Sequence, residues 1–314
     1  MSSSIEKAAQ RLEQLRAAGA QLPSDAPVQE QSAAPPTTAT PPTTATIPTP
    51  PTAAAPSSKS VHIDLAALAG AGFVTRHAPR AAITDQFRVI KRPLLDNASG
   101  RGAAAVPRGN LIMVTSALPG EGKSFTAINL AMSMAMELDY TVMLVDADVA
   151  RPSVMSTLGL QPALGLLDLL LDPNIALSDV LLRTNIDNLT LLPTGLPHPR
   201  ATELLASDAM VALLAEMGQR YSDRIIIFDS PPLLLTTEAP VLASQMGQIV
   251  MVVQAEKTLQ SQVQQALASI ESCPIRLLVL NQARSRGKAS YGYGYGYGHD
   301  RDHEHAAVGA ATPA

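Results

Sequence analysis

Tryptophan is missing from the 314 residues, and cysteine occurs once, as Cys273. A single thiol excludes an internal disulfide framework and a thiolate metal cluster, and it suits a reducing compartment. Aromatic side chains are scarce, and four Phe with six Tyr leave few platforms on which single-stranded bases could stack. Excess positive charge is lacking as well. With 23 Lys and Arg against 27 Asp and Glu, the overall balance gives no argument for a nucleic-acid partner. No apolar run reaches the roughly 18 residues needed to cross a bilayer, because Glu137, Asp139, Asp168 and Asp172 interrupt the longest candidates. The opening from Met1 to Lys7 is followed by no apolar signal-peptide core. The expectation is a soluble, cytoplasmic protein that meets the inner membrane only through a partner.

What is present falls into four stretches. Residues 1–20 are predicted to contain one short amphipathic helix, over about 5–17, with Ile5, Ala8, Leu12 and Leu15 on roughly one side. Residues 21–59 are rich in Pro, Thr and Ala and contain ten of the 25 prolines, including two tandem Pro-Pro-Thr-Thr-Ala-Thr hexamers. Proline fixes φ and lacks an N–H donor, so this stretch predicts an extended, disordered linker that supplies reach. Recognition of its proline motifs by a partner is the alternative. Residues 60–288 have the texture of a globular domain, and 289–314 form a low-complexity tail.

Within the domain, helical pieces are predicted at 61–69 and 81–95. Buried strands are predicted at 111–115, 141–145, 189–193, 225–228, 249–253 and 276–280. Helices are predicted at 123–137, 164–171, 203–221 and 258–270, with a short apolar helix before 249. Runs of Val, Ile and Leu without alternation, most of them followed by a helix, describe an α/β fold with a mostly parallel sheet covered on both faces.

The strongest chemical signal runs from Ser116 to Ser124, Ser-Ala-Leu-Pro-Gly-Glu-Gly-Lys-Ser, between a predicted strand and a predicted helix. A phosphate-binding loop needs small residues so that successive N–H groups can face oxyanions. It also needs a lysine for the β and γ phosphates and a hydroxyl for magnesium. Pro119, Gly120, Glu121, Gly122, Lys123, Ser124 and Phe125 form this candidate ATP site, and Ala117 stands where a first glycine is usual. The competing explanation is a chance Gly-Lys-Ser turn. Two further strands end in acid: 142–145 leads to Asp146 and Asp148, and 225–228 leads to Asp229. Ligands of parallel sheets sit at the carboxyl ends of the strands. Asp146, Asp148 and Asp229 are therefore predicted to position magnesium and water around a nucleotide; a helix cap is the lesser alternative for Asp148 taken alone.

The phosphoryl acceptor is either water or a protein hydroxyl. Tyr291, Tyr293, Tyr295 and Tyr297 alternate with glycine in the tail and supply four phenols. An aspartate accepting the phenolic proton during transfer is a workable arrangement. The plain alternative is low complexity without function.

The three segments around Lys123, Asp146 and Asp229 resemble the nucleotide-binding motifs of the bacterial tyrosine autokinases of exopolysaccharide synthesis. That family has a P-loop NTPase fold of the partition and division ATPase type. The segment from Asp85 to Leu95 is similar to the branch associated with exosortase-type polysaccharide clusters. The resemblance implies that Lys123 and Ser124 hold ATP and Mg2+ and that Asp146 and Asp148 serve the acceptor hydroxyl and the metal shell. It implies that Asp229 positions magnesium through water and that Asn281 lies near the adenine. Ser124, Asp148 and Asp229 are then the metal set, Lys123, Asp146, Asp148 and Asp229 the catalytic set, and the tail tyrosines the autophosphorylation sites. Expected partners are other copies of the chain in a homo-oligomer such as a ring, a separate membrane chain-length or polysaccharide co-polymerase protein as activator, and a tyrosine phosphatase, with no nucleic acid.

Two departures from the family pattern stand out. The interface helix usually reads Glu-x-x-Arg-x-x-Arg, whereas this chain has Asp85, Arg88 and Lys91, with Arg92 one place late. Lysine cannot reproduce a bidentate arginine fork. The position two residues after Asp148, often arginine, is Ala150. Partition ATPases carry a signature lysine where this chain has Leu118, and they lack a tyrosine cluster. A positioning-type ATPase that hydrolyses ATP without phosphorylating protein is nevertheless the alternative function. A nucleotide-binding scaffold without turnover is a third, weakened because every catalytic group is present.

Overall fold

The computed structural model describes residues 59–76, 82–102, 105–220 and 224–283. The predicted N-terminal helix, the linker and the tyrosine tail lie outside these residues, as does Tyr221.

The strands are β1 (Lys59–Val61), β2 (Leu111–Ser116), β3 (Thr141–Asp146), β4 (Leu182–Thr184), β5 (Leu189–Leu192), β6 (Arg224–Asp229), β7 (Gln248–Gln254) and β8 (Ile275–Asn281). They form one sheet in the order β1-β4-β5-β3-β6-β2-β7-β8. Every pairing is parallel except β4 with β5. The three strands that precede the predicted motifs, β3, β6 and β2, are therefore neighbours at its centre. Their side chains supply both cores. Ile112 and Val114 face one apolar layer, and Leu111 and Met113 face the other. Unbroken apolar runs are what a strand covered on both faces requires.

On the first face lie α1 (Leu65–Gly70), α2 (Ala82–Ala98) and α3 (Lys123–Ala135). The start of α1 is capped by Asp64, whose Oδ1 accepts the N–H groups of Ala66 and Ala67 at 2.9 and 3.0 Å. Polar contacts pin α2 in place. Gln248 Nε2 donates to the Leu94 and Gly109 carbonyls, and Lys91 Nζ donates to the Ser133 carbonyl at 2.6 Å. Lys91 Nζ also pairs with Glu137 Oε1 at 2.7 Å. The short helices α4 (Val154–Thr157), α5 (Leu166–Leu171) and α6 (Leu177–Val180) follow β3. Beyond β5 come α7 (Ala201–Leu205), α8 (Asp208–Arg220), α9 (Glu238–Ala243) and α10 (Gln260–Ala268).

The structure corrects the predicted elements in three places. The piece predicted as helix at 61–69 begins as the end of strand β1, whose partner β4 gave no sequence signal. The predicted helix 203–221 is two helices, because the Ser207 hydroxyl donates to the Leu204 carbonyl at 2.7 Å and accepts the Met210 N–H at 3.3 Å. That swap ends one helix and starts the next. Finally, α2 runs on through Pro93 to Ala98, with Pro93 on its exposed side.

Candidate nucleotide-binding site

The loop from Ala117 to Gly122 joins β2 to α3. Gly120 and Gly122 have φ of 83° and 94°, the left-handed region that favours glycine. A Cβ on Gly122 would also collide with the Asn281 carboxamide. Ala117 is not among the residues with positive φ and is fully buried in the second core, so alanine serves where glycine is usual. The loop is strapped to the segment after β6. Leu233 N donates to Ser116 O at 2.8 Å, and Thr115 Oγ1 donates to Pro231 O at 2.9 Å.

Lys123 and Ser124 open α3. Lys123 Nζ lies 2.6 Å from Asp148 Oδ2, and Asp148 Oδ1 accepts the Arg151 N–H at 3.0 Å. Both oxygens of Asp148 are thus engaged by the protein. Asp146 Oδ2 accepts the N–H groups of Ser153 and Val154 at 3.1 and 3.0 Å, whereas its Oδ1 has no partner. Neither oxygen of Asp229 has a partner at good hydrogen-bonding geometry. Ser153 Oγ donates to Ser124 Oγ at 2.8 Å.

Burial pushes the Asp146 carboxyl up to about 6, with backbone hydrogen bonds opposing and the Asp148 charge adding to the rise. Burial likewise raises Asp229 to about 7, offset in part by the Lys123 ammonium and the nearby Ser124 hydroxyl. Three buried, unpartnered carboxylate oxygens beside a serine hydroxyl carry an unmet demand for positive charge. The donors are all oxygen, which fits magnesium, an ion that takes one or two carboxylates together with water and substrate phosphates. Among the described residues no group of three or more His, Cys, Asp or Glu is assembled to hold a metal by itself.

A cleft of about 530 Å³ adjoins the loop, lined in part by Phe87, Ile90, Phe125, Thr126, Leu280 and Asn281. Pro119 lies in the loop itself. The predicted site residues in the described part of the chain therefore gather at one end of the central strands, with Phe125 and Asn281 on the cleft. The predicted interface set divides. Asp85 and Arg88 are exposed and paired at 2.9 Å, but Lys91 is buried against α3. A lysine at this register points inward to Glu137, so the three charges do not share one exposed face. Arg92, one turn on from Arg88, is exposed.

Sequence reasoning missed Ser153, Thr258 and the side-chain role of Glu121. Ser153 carried a faint signal in its closeness to Asp148, whereas Thr258 touches the loop only through the fold.

The central phosphate loop and acidic strand ends define a P-loop α/β nucleotide-binding protein. Residues 109–278, more than half of the chain, match the AAA domain family. The tyrosine-protein kinase YwqD of Bacillus subtilis is 32% identical over 200 residues, covering 64% of this chain and 80% of the relative. The putative tyrosine-protein kinase EpsB of Ralstonia nicotianae is 31% identical over 168 residues, covering 54% of this chain but only 22% of that protein. Among solved structures, the chimerical protein CapA2B2 superposes with a TM-score of 0.56 at 28% identity, over 66% of this chain and 89% of that one. The chain belongs to the bacterial tyrosine-protein kinase family, within the AAA domain family. No helix among the described residues is long and apolar enough to cross a membrane.

Proposed function

We propose that this chain is an ATP-dependent protein-tyrosine autokinase that modifies the tail tyrosines of neighbouring copies and thereby regulates exopolysaccharide polymerisation or export. The observation that carries this is the convergence of Lys123, Asp146, Asp148 and Asp229 at the ends of β2, β3 and β6, with three carboxylate oxygens unsatisfied. Lys123 turns from Asp148 to the β and γ phosphates when ATP enters. Ser124 and Asp229 would hold magnesium, joined by Asp148 once Lys123 has left it, and Asp146 stays free to take a proton. Magnesium supplies charge neutralisation on the phosphates. The phenolic oxygen of a tail tyrosine forms a bond to the γ phosphorus as the bond to ADP breaks. Asp146, whose burial raises it toward neutrality, accepts the phenolic proton.

The adenine occupies the cleft beside Phe125 and Asn281. Asp85 and Arg88 contribute to contacts between copies in a homo-oligomer, with Arg92 in the place that Lys91 leaves open. The resemblance of residues 85–95 supports the exosortase-associated branch. It also supports a separate membrane activator that brings the kinase to the inner membrane, and a phosphatase that resets the tail. The test is a phosphosite map of the full chain after incubation with Mg-ATP, beside Lys123→Met. Phosphate on Tyr291, Tyr293, Tyr295 and Tyr297 in the parent alone supports the proposal. ATP hydrolysis with no phosphotyrosine would move the assignment to a positioning-type ATPase.

A further inference from the structure

By charge alone, an acidic residue inside a phosphate-binding loop opposes its ligand. Glu121 is nevertheless there, and only 2% exposed. Its carboxylate is fully engaged. Oε2 accepts the Leu118 N–H at 2.7 Å, and Oε1 accepts the Thr258 hydroxyl. The first bond closes the loop on itself. The second crosses to the connection between β7 and α10, where Thr258 Oγ1 also accepts the Gln254 N–H at 3.2 Å.

The end of β8 grips the same loop from its backbone side. Asn281 Nδ2 donates to the Glu121 carbonyl at 2.9 Å, and Gln282 Nε2 donates to the Gly120 carbonyl at 3.3 Å. Gln282 adopts φ of 58°, a left-handed conformation uncommon outside glycine, and its Oε1 accepts from Gln254 Nε2 at 2.5 Å. A trans peptide holds its N–H and C=O in opposite directions, and no peptide bond here is cis. With the carbonyls of Gly120 and Glu121 turned toward β8, the N–H groups of Glu121 and Gly122 point away from it. Those are amides that a bound phosphate would use.

We propose that Glu121 and Thr258 are positioning residues for ATP, whose side-chain contact, with the carboxamides of Asn281 and Gln282, holds the loop amides toward the phosphates and ties the loop to the end of β8. This rests on the ATP assignment above. Glu121 acts through its side chain, beyond any backbone contact to the nucleotide, and Asn281 has a task on the loop independent of the base.

The test compares full-length wild type, Thr258→Ser, Thr258→Val and Gln282→Ala for affinity toward a fluorescent ATP analogue, KM for ATP, kcat and unfolding temperature without nucleotide. Losing a hydrogen bond to a charged group predicts that Thr258→Val raises Kd and KM about tenfold. The expected companions are a kcat within about threefold of wild type and a near-normal value for Thr258→Ser. Gln282→Ala, at an exposed site, is expected to weaken binding about threefold with unchanged unfolding temperature, and it serves if Thr258→Val does not fold. Thr258→Val binding within twofold of wild type would overturn the inference, as would equal weakening by Ser and Val. If Thr258→Val does not fold, Gln282→Ala binding like wild type overturns it. Wild type that binds no ATP would instead overturn the nucleotide assignment, and this inference with it.

Discussion

Lys123 Nζ and Asp148 Oδ2 stand 2.6 Å apart, with side chains only 12% and 2% exposed, so the lysine of the phosphate loop is already held by a carboxylate from the loop after β3. Nucleotide phosphates must therefore compete with Asp148 for this ammonium.

That competition has a measurable sign. Lys123→Met should lose ATP binding and tyrosine phosphorylation while remaining folded, since it removes the phosphate contact and leaves the apolar packing of α3 intact. Asp148→Asn should destabilise the nucleotide-free protein by about 3 kcal/mol, because it removes the direct ion-pair partner of a buried ammonium. Bound ATP then satisfies that ammonium. The rise in unfolding temperature on adding Mg-ATP should be larger in Asp148→Asn than in wild type, while transfer falls. Scanning fluorimetry with and without nucleotide decides it, and equal shifts in the two proteins would count against the competition.

A second prediction concerns pH. Asp229 and Asp146 titrate near about 7 and about 6 in the folded protein, against about 3.9 for a free aspartate. In this interval the folded state binds more protons than the unfolded one, so stability falls as pH rises from about 4 through about 7. Asp229 alone would account for a span on the order of 4 kcal/mol. Asp229→Asn should flatten the denaturation profile between about pH 4 and 7. It should also abolish most turnover, as should Asp146→Asn, because each keeps the shape and removes the charge. Parallel profiles for wild type and Asp229→Asn would refute the assignment.

The division of the α2 charges gives a third. Lys91→Met should cost about 2 kcal/mol of stability by cutting the link from α2 to Ser133 and Glu137. Arg88→Glu breaks only an exposed pair and places like charges one turn apart, so it should cost under about 1 kcal/mol. Its effect should appear instead in sedimentation, as weaker self-association with ATP binding retained. Unchanged mass distributions would remove Arg88 from the interface.

The fourth concerns the tail. Each phosphotyrosine adds about −1.5 to −2 charges near neutral pH, and four would be repelled by a site that already holds Asp146, Asp148 and Asp229. Wild type incubated with Mg-ATP should shift toward monomer, and salt should blunt the shift. A variant with all four tyrosines changed to Phe should stay assembled and still bind ATP. Light scattering before and after incubation separates the two, and identical behaviour would exclude an electrostatic release.

The central strands and the phosphate loop were legible in the sequence because their determinants are local. A short, largely apolar run, then Gly-Glu-Gly-Lys-Ser or an aspartate, fits in one short window. β1 and β4 were not legible. Each is three residues long, and β1 exposes two of its three side chains, so neither has an apolar run. The inward turn of Lys91 was hidden as well, since its partner Glu137 lies just beyond the end of α3, 46 residues away in sequence. The link from Glu121 to Thr258 spans 137 residues of sequence and depends on β7 lying beside β2 in the sheet.

The single antiparallel pairing in the sheet has a geometric consequence. Because β4 runs against β5 and β1 runs with β4, Lys59 enters the sheet at the same end from which Asn281 leaves it. That is also the end that carries the phosphate loop. The two points sit on opposite margins, seven strand spacings apart, or about 34 Å at roughly 4.8 Å per step before twist. The first and last described strands thus straddle the phosphate loop like the posts of a gate.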